Sequence, residues 1–223
     1  MRDMKLCGKS SPENLSERKD EFDSFEIYLK EDDVFDDFRE TMKALRDNES
    51  IVDILHTPHV KTYKRFEKAV QKCDQMAQEF DSRIVCHSSY IRWIMANTEM
   101  DFNVKSKYGL ENYIGLSLRG IERSILKKHN MVLDTAHLFL TNPGLYDRNL
   151  SYILQNHSEK ISSVHLCDST KDTDGLNIGD GIMDMEWTIQ TIADSDYNDL
   201  ITVEVPVNEQ KESKKKILEI LNS

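Results

Sequence analysis

The chain alternates repeatedly between short runs of apolar or β-branched residues and longer stretches with helical periodicity. The short runs fit buried strands, and the longer ones fit amphipathic helices. Strand, helix and strand in succession, with no long structureless linker, favour a parallel sheet. Because the pattern repeats about eight times, it favours a closed barrel over an open sheet. The sequence therefore predicts the α/β fold class and a single (β/α)8 TIM barrel spanning residues 1–223 as one domain.

Eight segments are predicted as strands. They are Lys5–Cys7, Ser24–Leu29, Ile51–His56, Arg83–His87, Lys107–Glu111, Met131–Asp134, Ile161–Leu166 and Ile201–Val205. The helical candidates are Val34–Arg46, Tyr63–Phe80, Tyr90–Met95, Gly120–Lys128, Tyr146–Gln155, a segment that begins near Met183, and Glu209–Leu221. No glycine-rich GxGxxG or GxxxxGK[ST] turn follows a strand, which argues against the usual nucleotide-binding versions of α/β architecture.

Length and composition narrow the class of protein further. A chain of 223 residues is too short for two ordinary domains with sizeable cores. The formal net charge of −11 gives no general attraction to nucleic-acid phosphates. The four cysteines form no CxxC pair and are interpreted as reduced thiols. No apolar run is long enough to cross a bilayer, and no secretory leader is evident, so we expect a cytoplasmic protein.

Six successive predicted strands each end in a histidine or an acidic residue. These residues are His56, His87, Glu111, Asp134, His165 and Glu204. In a barrel the carboxyl ends of the strands meet around one mouth, so these side chains are expected to converge. Enclosing several carboxylates and imidazoles together is costly unless a cation offsets their charge. The pattern therefore predicts a divalent metal site.

The prediction depends on the set, because each member has an ordinary structural explanation. An Asp at the end of a strand is often the N-cap of the next helix, and a lone His there is often only hydrogen-bonded. Glu111 and Glu204 lie inside apolar runs, where a glutamate is rarely buried without a partner. We predict Glu111, Asp134, His165 and Glu204 as the metal ligands. Oxygen and imidazole donors without thiolate suit Mn²⁺, Mg²⁺, Co²⁺, Fe²⁺ or Zn²⁺.

Several motifs together resemble the xylose-isomerase-like barrel superfamily, which includes sugar isomerases, sugar epimerases and the endonuclease IV group of abasic-site nucleases. The matching stretches are His56-Thr57-Pro58, Glu111-Asn112, Leu133-Asp134-Thr135-Ala136-His137, His165-Leu166-Cys167-Asp168-Ser169, Ile178-Gly179-Asp180-Gly181 and Val203-Glu204. They follow the superfamily's order over nearly the whole chain. The resemblance implies a metal ion held by the same four residues. It does not distinguish one member of the superfamily from another.

The motifs of endonuclease IV proteins allow the nuclease alternative to be compared with this sequence. Endonuclease IV proteins bind a cluster of three zinc ions, with additional histidines that match His56, His87 and His137. They also carry an Asp-x-His pair shortly before the Ile-Gly-x-Gly turn. Here the corresponding segment, residues 172–177, contains no histidine. The chain also looks shorter than typical endonuclease IV proteins. Both departures count against nuclease activity.

Three functions remain open from the sequence. The first is an isomerase or epimerase that acts on a sugar or a related small hydroxy-carbonyl compound, with a metal ion stabilising the enediolate formed by proton loss. The second is metal-assisted hydrolysis of DNA at abasic sites, and the third is a metal-binding barrel without catalysis. A small-molecule substrate is expected, nucleic acid is less favoured, and no membrane partner is expected.

Each candidate residue has a role in the favoured first function. Glu111 and Glu204 would serve as base and acid, whereas Asp134 and His165 would chiefly hold the metal ion. The remaining candidates would bind an additional metal ion or the substrate, and they are His56, His87, His137, Asn112 and Lys107.

Overall fold

All eight predicted strands form in the computed structural model, which describes residues 4–90, 93 and 102–223. The strands are β1 (Lys5–Ser10), β2 (Phe25–Tyr28), β3 (Val52–His56), β4 (Arg83–Cys86), β5 (Tyr108–Glu111), β6 (Met131–Asp134), β7 (Ile161–Leu166) and β8 (Leu200–Val203). Each strand pairs in parallel with the next, and β1 also pairs with β8, for example Leu6 with Ile201. The sheet is therefore a closed barrel, and the predicted (β/α)8 fold is confirmed.

Helices connect the strands around the outside of the barrel. They are α1 (Leu15–Arg18), α2 (Glu31–Phe35), α3 (Phe38–Arg46), α4 (Tyr63–Phe80), α5 (Leu118–Ile121, continued by a π-helical turn over Glu122–Leu126), α6 (Thr135–Thr141), α7 (Tyr146–His157), α8 (Met185–Asp194) and α9 (Gln210–Leu221). The predicted helix Val34–Arg46 is divided into α2 and α3. Helix α6 was not predicted. The predicted helix Tyr90–Met95 lies largely outside the described residues.

Alternation along the strands sorts side chains between two apolar clusters. In β6, Leu133 belongs to the large core between the sheet and the helices, whereas Val132 belongs to a smaller cluster. The smaller cluster contains one residue from each of five strands: Cys7, Ile54, Val85, Val132 and Leu200. Because successive side chains of a strand point to opposite faces, this cluster fills the barrel interior.

A β-bulge between β6 and β7 lies against Gly109 of β5. The pairing of β6 with β7 skips Ser162, since Met131 is opposite Ile161 and Val132 is opposite Ser163. A Cβ atom added to Gly109 would collide with the Ser162 hydroxyl and would lie 2.9 Å from the Val132 side chain. Glycine is therefore required two residues before Glu111 for this register.

Among the described residues, no helix combines the length and apolar character needed to span a membrane. All four cysteine thiols are free and buried.

Candidate metal centre

The polar mouth of the barrel lies directly above its apolar interior. Cys7, Ile54 and Val132 point inward, and with a period of two residues the next inward positions on their strands are Lys9, His56 and Asp134. The same alternation on the other strands adds Glu111, His165 and Glu204. A cavity of about 380 Å³ opens here, and its lining includes Glu111, Asp134 and Glu204 together with His56, His87 and His137.

The four predicted metal ligands lie together. One potential ligand atom from each of Glu111, Asp134, His165 and Glu204 lies within 4.8 Å of all the others. Glu111, Asp134 and His165 are buried, and the side chain of Glu204 is 25% exposed on the cavity side. The residues are separated by tens of positions in the chain, so their convergence is a consequence of barrel closure.

His165 is the centre of this cluster. Its Nδ1 atom lies 3.2 Å from Glu111 Oε1 and 2.7 Å from Glu204 Oε2. Its Nε2 atom lies 2.9 Å from Glu26 Oε2. The Glu26 carboxylate can accept the proton of Nε2–H, which leaves the lone pair of a neutral ring on Nδ1. That nitrogen then faces two carboxylates.

This arrangement fits a divalent cation. A bare Nδ1 and two carboxylate oxygens repel one another unless a positive charge lies between them. Glu204 Oε2 is buried and makes no hydrogen bond with the described residues. Three carboxylates and one imidazole nitrogen form a donor set that suits Mn²⁺, Co²⁺, Zn²⁺ or Mg²⁺.

Asp134 combines two roles that the sequence left as alternatives. Its Oδ1 atom accepts the backbone N–H of His137 at 2.8 Å and so caps helix α6. The side-chain amide of Asn112 forms two hydrogen bonds with the backbone of Asp134. Its Oδ1 atom accepts the N–H of Asp134 at 2.8 Å, and its Nδ2 atom donates to the carbonyl oxygen of Asp134 at 3.0 Å. Asn112 therefore positions Asp134. It was predicted to bind an additional metal ion or the substrate, but both ends of its amide are already engaged.

The charges of the cluster shift the pKa values of its members. Burial raises the pKa of Asp134 well above its ordinary value. Burial lowers the pKa of His165, but the negative charges of Glu204 and Glu26 raise it by more. Burial raises the pKa of Glu111 and Glu204, but His165 lowers both below their ordinary values. Without a metal ion, His165 is therefore expected to hold a proton between the carboxylates.

Two charged residues that contact the cluster directly were missed at the sequence level. Glu26 lies within β2, is fully buried and contacts both His165 and the hydroxyl of Thr202. Lys9 forms ion pairs with Glu204 and with Glu26, the latter at 3.2 Å. Glu26 carries the signal that identified Glu111, a glutamate inside an apolar run. Lys9 was missed because β1 extends three residues beyond its predicted end.

The other sequence candidates are divided between two ends of the barrel. His56 ends β3, His87 directly follows β4, and both line the mouth. Lys107 directly precedes β5 and is exposed. It therefore lies at the opposite end of that strand from Glu111. The structure does not bring Lys107 to the site, because a strand presents its two ends to opposite faces of the barrel.

His137 lies in the mouth but already has partners at both ring nitrogens. Nδ1 is 2.7 Å from the carbonyl oxygen of Asn112, and Nε2 is 3.1 Å from Asp174 Oδ2. Burial lowers the pKa of His137, but Asp134 and Asp174 raise it to about 10. A ring that is protonated at both nitrogens has no lone pair for a metal ion.

Metal binding at this centre is expected to release protons and to weaken as the pH falls. The raised pKa values of His165 and Asp134 mean that these groups hold protons more strongly in the metal-free protein, and an ion must displace those protons. We expect about one to two protons released per ion, with affinity rising from about pH 6 to about pH 8. Calorimetry of Zn²⁺ binding in buffers of different ionisation enthalpy measures this number. The control variant His157→Asn, at the end of helix α7, should release the same number, and a binding enthalpy that is independent of the buffer would contradict the prediction.

Comparison with known proteins supports the fold. A family model described as xylose isomerase-like TIM barrel matches residues 118–222. The resemblance predicted from the sequence is thereby confirmed over the half of the barrel that carries Asp134, His165 and Glu204. No curated protein sequence matches the chain.

Several solved structures share the whole barrel. A D-tagatose 3-epimerase-like protein has a TM-score of 0.70 and 20% sequence identity, with 100% of this chain and 97% of that chain covered. The D-allulose 3-epimerase of Methylomonas sp., solved with D-allulose, has a TM-score of 0.67 and 13% identity, covering 100% and 97%. The IolI protein, solved with a zinc atom, has a TM-score of 0.68 and 15% identity, covering 98% of each chain. At these identities the similarity establishes the fold.

Proposed function

We propose that this protein is a divalent-metal-dependent isomerase or epimerase that acts on a sugar or a related small hydroxy-carbonyl compound. The observation that carries the proposal is the convergence of Glu111, Asp134, His165 and Glu204, whose potential ligand atoms lie within 4.8 Å of one another in the barrel mouth. The proposal is consistent with the structural neighbours, which include proteins named as sugar epimerases and structures solved with zinc or with D-allulose.

The four residues would hold the ion, which would polarise a substrate carbonyl and stabilise negative charge on the adjacent oxygens. Glu111 and Glu204 would then move the proton. One carboxylate would take a proton from the carbon next to the carbonyl. The other would return a proton to that carbon from the opposite face, giving an epimer. Alternatively, the proton would be returned to the neighbouring carbon while the hydroxyl proton moves from one oxygen to the other, giving an isomer.

Both proposed proton carriers are held firmly. Glu111 accepts the backbone N–H of Ser88 at 2.7 Å through Oε2, while its Oε1 approaches His165. Glu204 pairs with Lys9 through Oε1, while its Oε2 approaches His165. Carboxylates that are already held in position need little rearrangement during proton transfer, which lowers the energy barrier. They belong to β5 and the end of β8, so they approach the cluster from different parts of the rim.

The size and charge of the mouth favour a small molecule over a nucleic acid. A cavity of about 380 Å³ is within the range of small-ligand sites. Its lining includes four acidic residues, namely Glu111, Asp134, Asp174 and Glu204. Acidic groups around a cleft repel phosphate backbones unless metal ions offset them. The contacts of His137 with Asn112 and Asp174 also weigh against a third metal ion of the endonuclease IV type.

The proposed location remains the cytoplasm. Four buried thiols without disulfides are typical of a reducing compartment.

Solvent hydrogen exchange tests the proposed reaction. The protein, supplied in turn with Mn²⁺, Co²⁺, Zn²⁺ and Mg²⁺, is incubated in D₂O with a panel of ketoses and aldoses. We expect deuterium at the carbon next to the carbonyl of at least one sugar, with exchange abolished by a chelator and restored by the ion. The surface variant Glu159→Gln is the control and should exchange at the wild-type rate. Metal-dependent cleavage of an abasic-site duplex, with no exchange in any sugar, would contradict the proposal.

A further inference from the structure

Two histidines form the wall of the mouth on the side of β3 and β4. The rings of His56 and His87 lie 5.5 Å apart between centroids and are inclined at 72°. His56 is 1% exposed and stacks on His165, with a centroid distance of 5.9 Å. Neither residue is among the four that converge as potential metal ligands. Both residues line the cavity of the mouth.

Hydrogen bonding fixes which nitrogen of His56 carries the proton. Its Nδ1 atom lies 3.0 Å from the backbone carbonyl oxygen of Thr57. A carbonyl oxygen can only accept, so Nδ1–H is the donor. In the neutral ring this leaves Nε2 without a proton. The Nε2 atom of His56 is therefore an acceptor with a free lone pair.

His87 has the opposite tautomer. Its Nδ1 atom accepts the backbone N–H of Ser89 at 3.1 Å and lies 2.8 Å from the Ser89 hydroxyl. A backbone N–H can only donate, so Nδ1 of His87 carries no proton. A ring with a bare Nδ1 atom is neutral. The proton of a neutral ring is then on Nε2, which is a donor.

We propose that His56 and His87 together bind one hydroxyl group of the substrate, which donates to Nε2 of His56 and accepts from Nε2–H of His87. Neither Nε2 atom is hydrogen-bonded to a residue that the structure describes. A bridging hydroxyl oxygen lies about 2.8 Å from each nitrogen and so joins atoms up to about 5.6 Å apart. The ring centroids lie 5.5 Å apart, so the two rings are near enough to share one hydroxyl group.

The pair selects for a hydroxyl and against a second metal ion. A hydroxyl both donates and accepts, whereas a carbonyl or phosphate oxygen only accepts and would face the lone pair of His56. A metal ion would require a lone pair from each ring, but the lone pair of His87 is on Nδ1 and directed toward Ser89. The inference rests on the proposed function, since it assigns a hydroxyl of the hydroxy-carbonyl substrate to this wall of the mouth.

Nitrogen NMR tests the two tautomers and the metal count without any sugar. In protein labelled with ¹⁵N at histidine, long-range ¹H–¹⁵N spectra distinguish protonated from bare ring nitrogens, and His56→Gln and His87→Gln assign the signals. We expect Nδ1–H for His56 and Nε2–H for His87. One equivalent of Zn²⁺ should shift the His165 signals and preserve both tautomers. A proton on Nδ1 of His87, or a second Zn²⁺ equivalent that shifts both Nε2 signals, would overturn the inference.

Calorimetry with D-allulose and the other sugars of the panel tests the hydroxyl contact on Zn²⁺-loaded protein. For a sugar that the wild type binds, we expect His87→Leu to weaken binding about tenfold, as for a lost hydrogen bond. His87→Gln retains an amide donor and should stay within about threefold of the wild type. The variant His157→Gln, at the end of helix α7, is the matched control, and Zn²⁺ affinity should be unchanged in all three.

The outcomes distinguish the inference from the proposed function. If the wild type binds a sugar and His87→Leu binds it equally well, the hydroxyl contact is wrong and the proposed function stands. If the wild type binds no sugar of the panel, the proposed function fails, and the assignment of a substrate hydroxyl fails with it.

Discussion

Replacing Glu204 with glutamine is expected to slow proton transfer by about a thousandfold or more while the barrel remains folded. The amide that replaces the carboxylate can neither take a proton from carbon nor return one. It also reduces the negative charge that Glu204 contributes beside His165, where Oε2 lies 2.7 Å from Nδ1. The measurement is the rate of solvent deuterium exchange into a sugar that the wild type processes, at saturating metal concentration.

The control for this variant is a glutamate at the opposite end of the barrel. Glu159 is exposed and lies in the short helical turn that precedes β7. Glu159→Gln makes the same chemical change and should leave the exchange rate within a factor of about two. Metal analysis of both variants separates loss of the proton carrier from loss of the ion. Glu204→Gln that binds metal and retains wild-type exchange would remove Glu204 from the mechanism.

Replacing Asp168 with alanine is expected to destabilise the protein by about 3 to 5 kcal/mol, because several backbone donors lose their acceptor at once. The buried Asp168 carboxylate accepts the N–H groups of Ser169, Gly179, Gly181 and Met183 at 2.7 to 3.2 Å. The loop after β7 is therefore folded around one side chain. This explains the Ile-Gly-x-Gly motif.

The glycines of that motif are required by geometry. Gly179 has a φ of +86°, a conformation that favours glycine. A Cβ atom on Gly181 would collide with the carboxylate of Asp168. The same loop carries Asp174 and Gly175 to the cavity wall. Loss of Asp168 is therefore expected to disturb the His137 contact with Asp174 as well as the stability.

Urea unfolding of Asp168→Ala measures the loss directly. Asp172→Ala is the matched control, because Asp172 lies in the same loop with a side chain that is 77% exposed. The control should change the free energy of unfolding by less than about 0.5 kcal/mol. An Asp168→Ala protein as stable as this control would show that the loop does not depend on the carboxylate.

The barrel could be predicted because the periodicity of its strands and that of its helices are both apparent within short stretches of the sequence. Met131–Asp134 and Ile161–Leu166 begin and end as predicted, since each is a short apolar run. Helix α6 was missed because it spans only Thr135–Thr141 and begins directly after the strand residue Asp134. Helices α2 and α3 are divided at Asp36 and Asp37, whose backbone N–H groups both donate to the carbonyl oxygen of Asp32.

The candidate site was predictable to the extent that its residues end strands. Glu111, Asp134, His165 and Glu204 were identified as a group for this reason, and barrel closure brings them together. Lys107 was also a candidate, but it directly precedes β5 and so lies at the opposite end of that strand from Glu111. Hydrogen-bond partners are not encoded locally. The sequence therefore could not reveal that Asn112 is engaged by Asp134, or that His137 is engaged by Asp174.

The central claim is that four distant side chains bind one divalent ion at the top of the barrel. Crystals grown with Zn²⁺, with diffraction recorded on both sides of the zinc absorption edge, locate the ion directly. The account predicts one strong anomalous peak, at about 2.0–2.2 Å from an atom of each of Glu111, Asp134, His165 and Glu204. Zinc bound only elsewhere, with these four groups holding no ion, would contradict it.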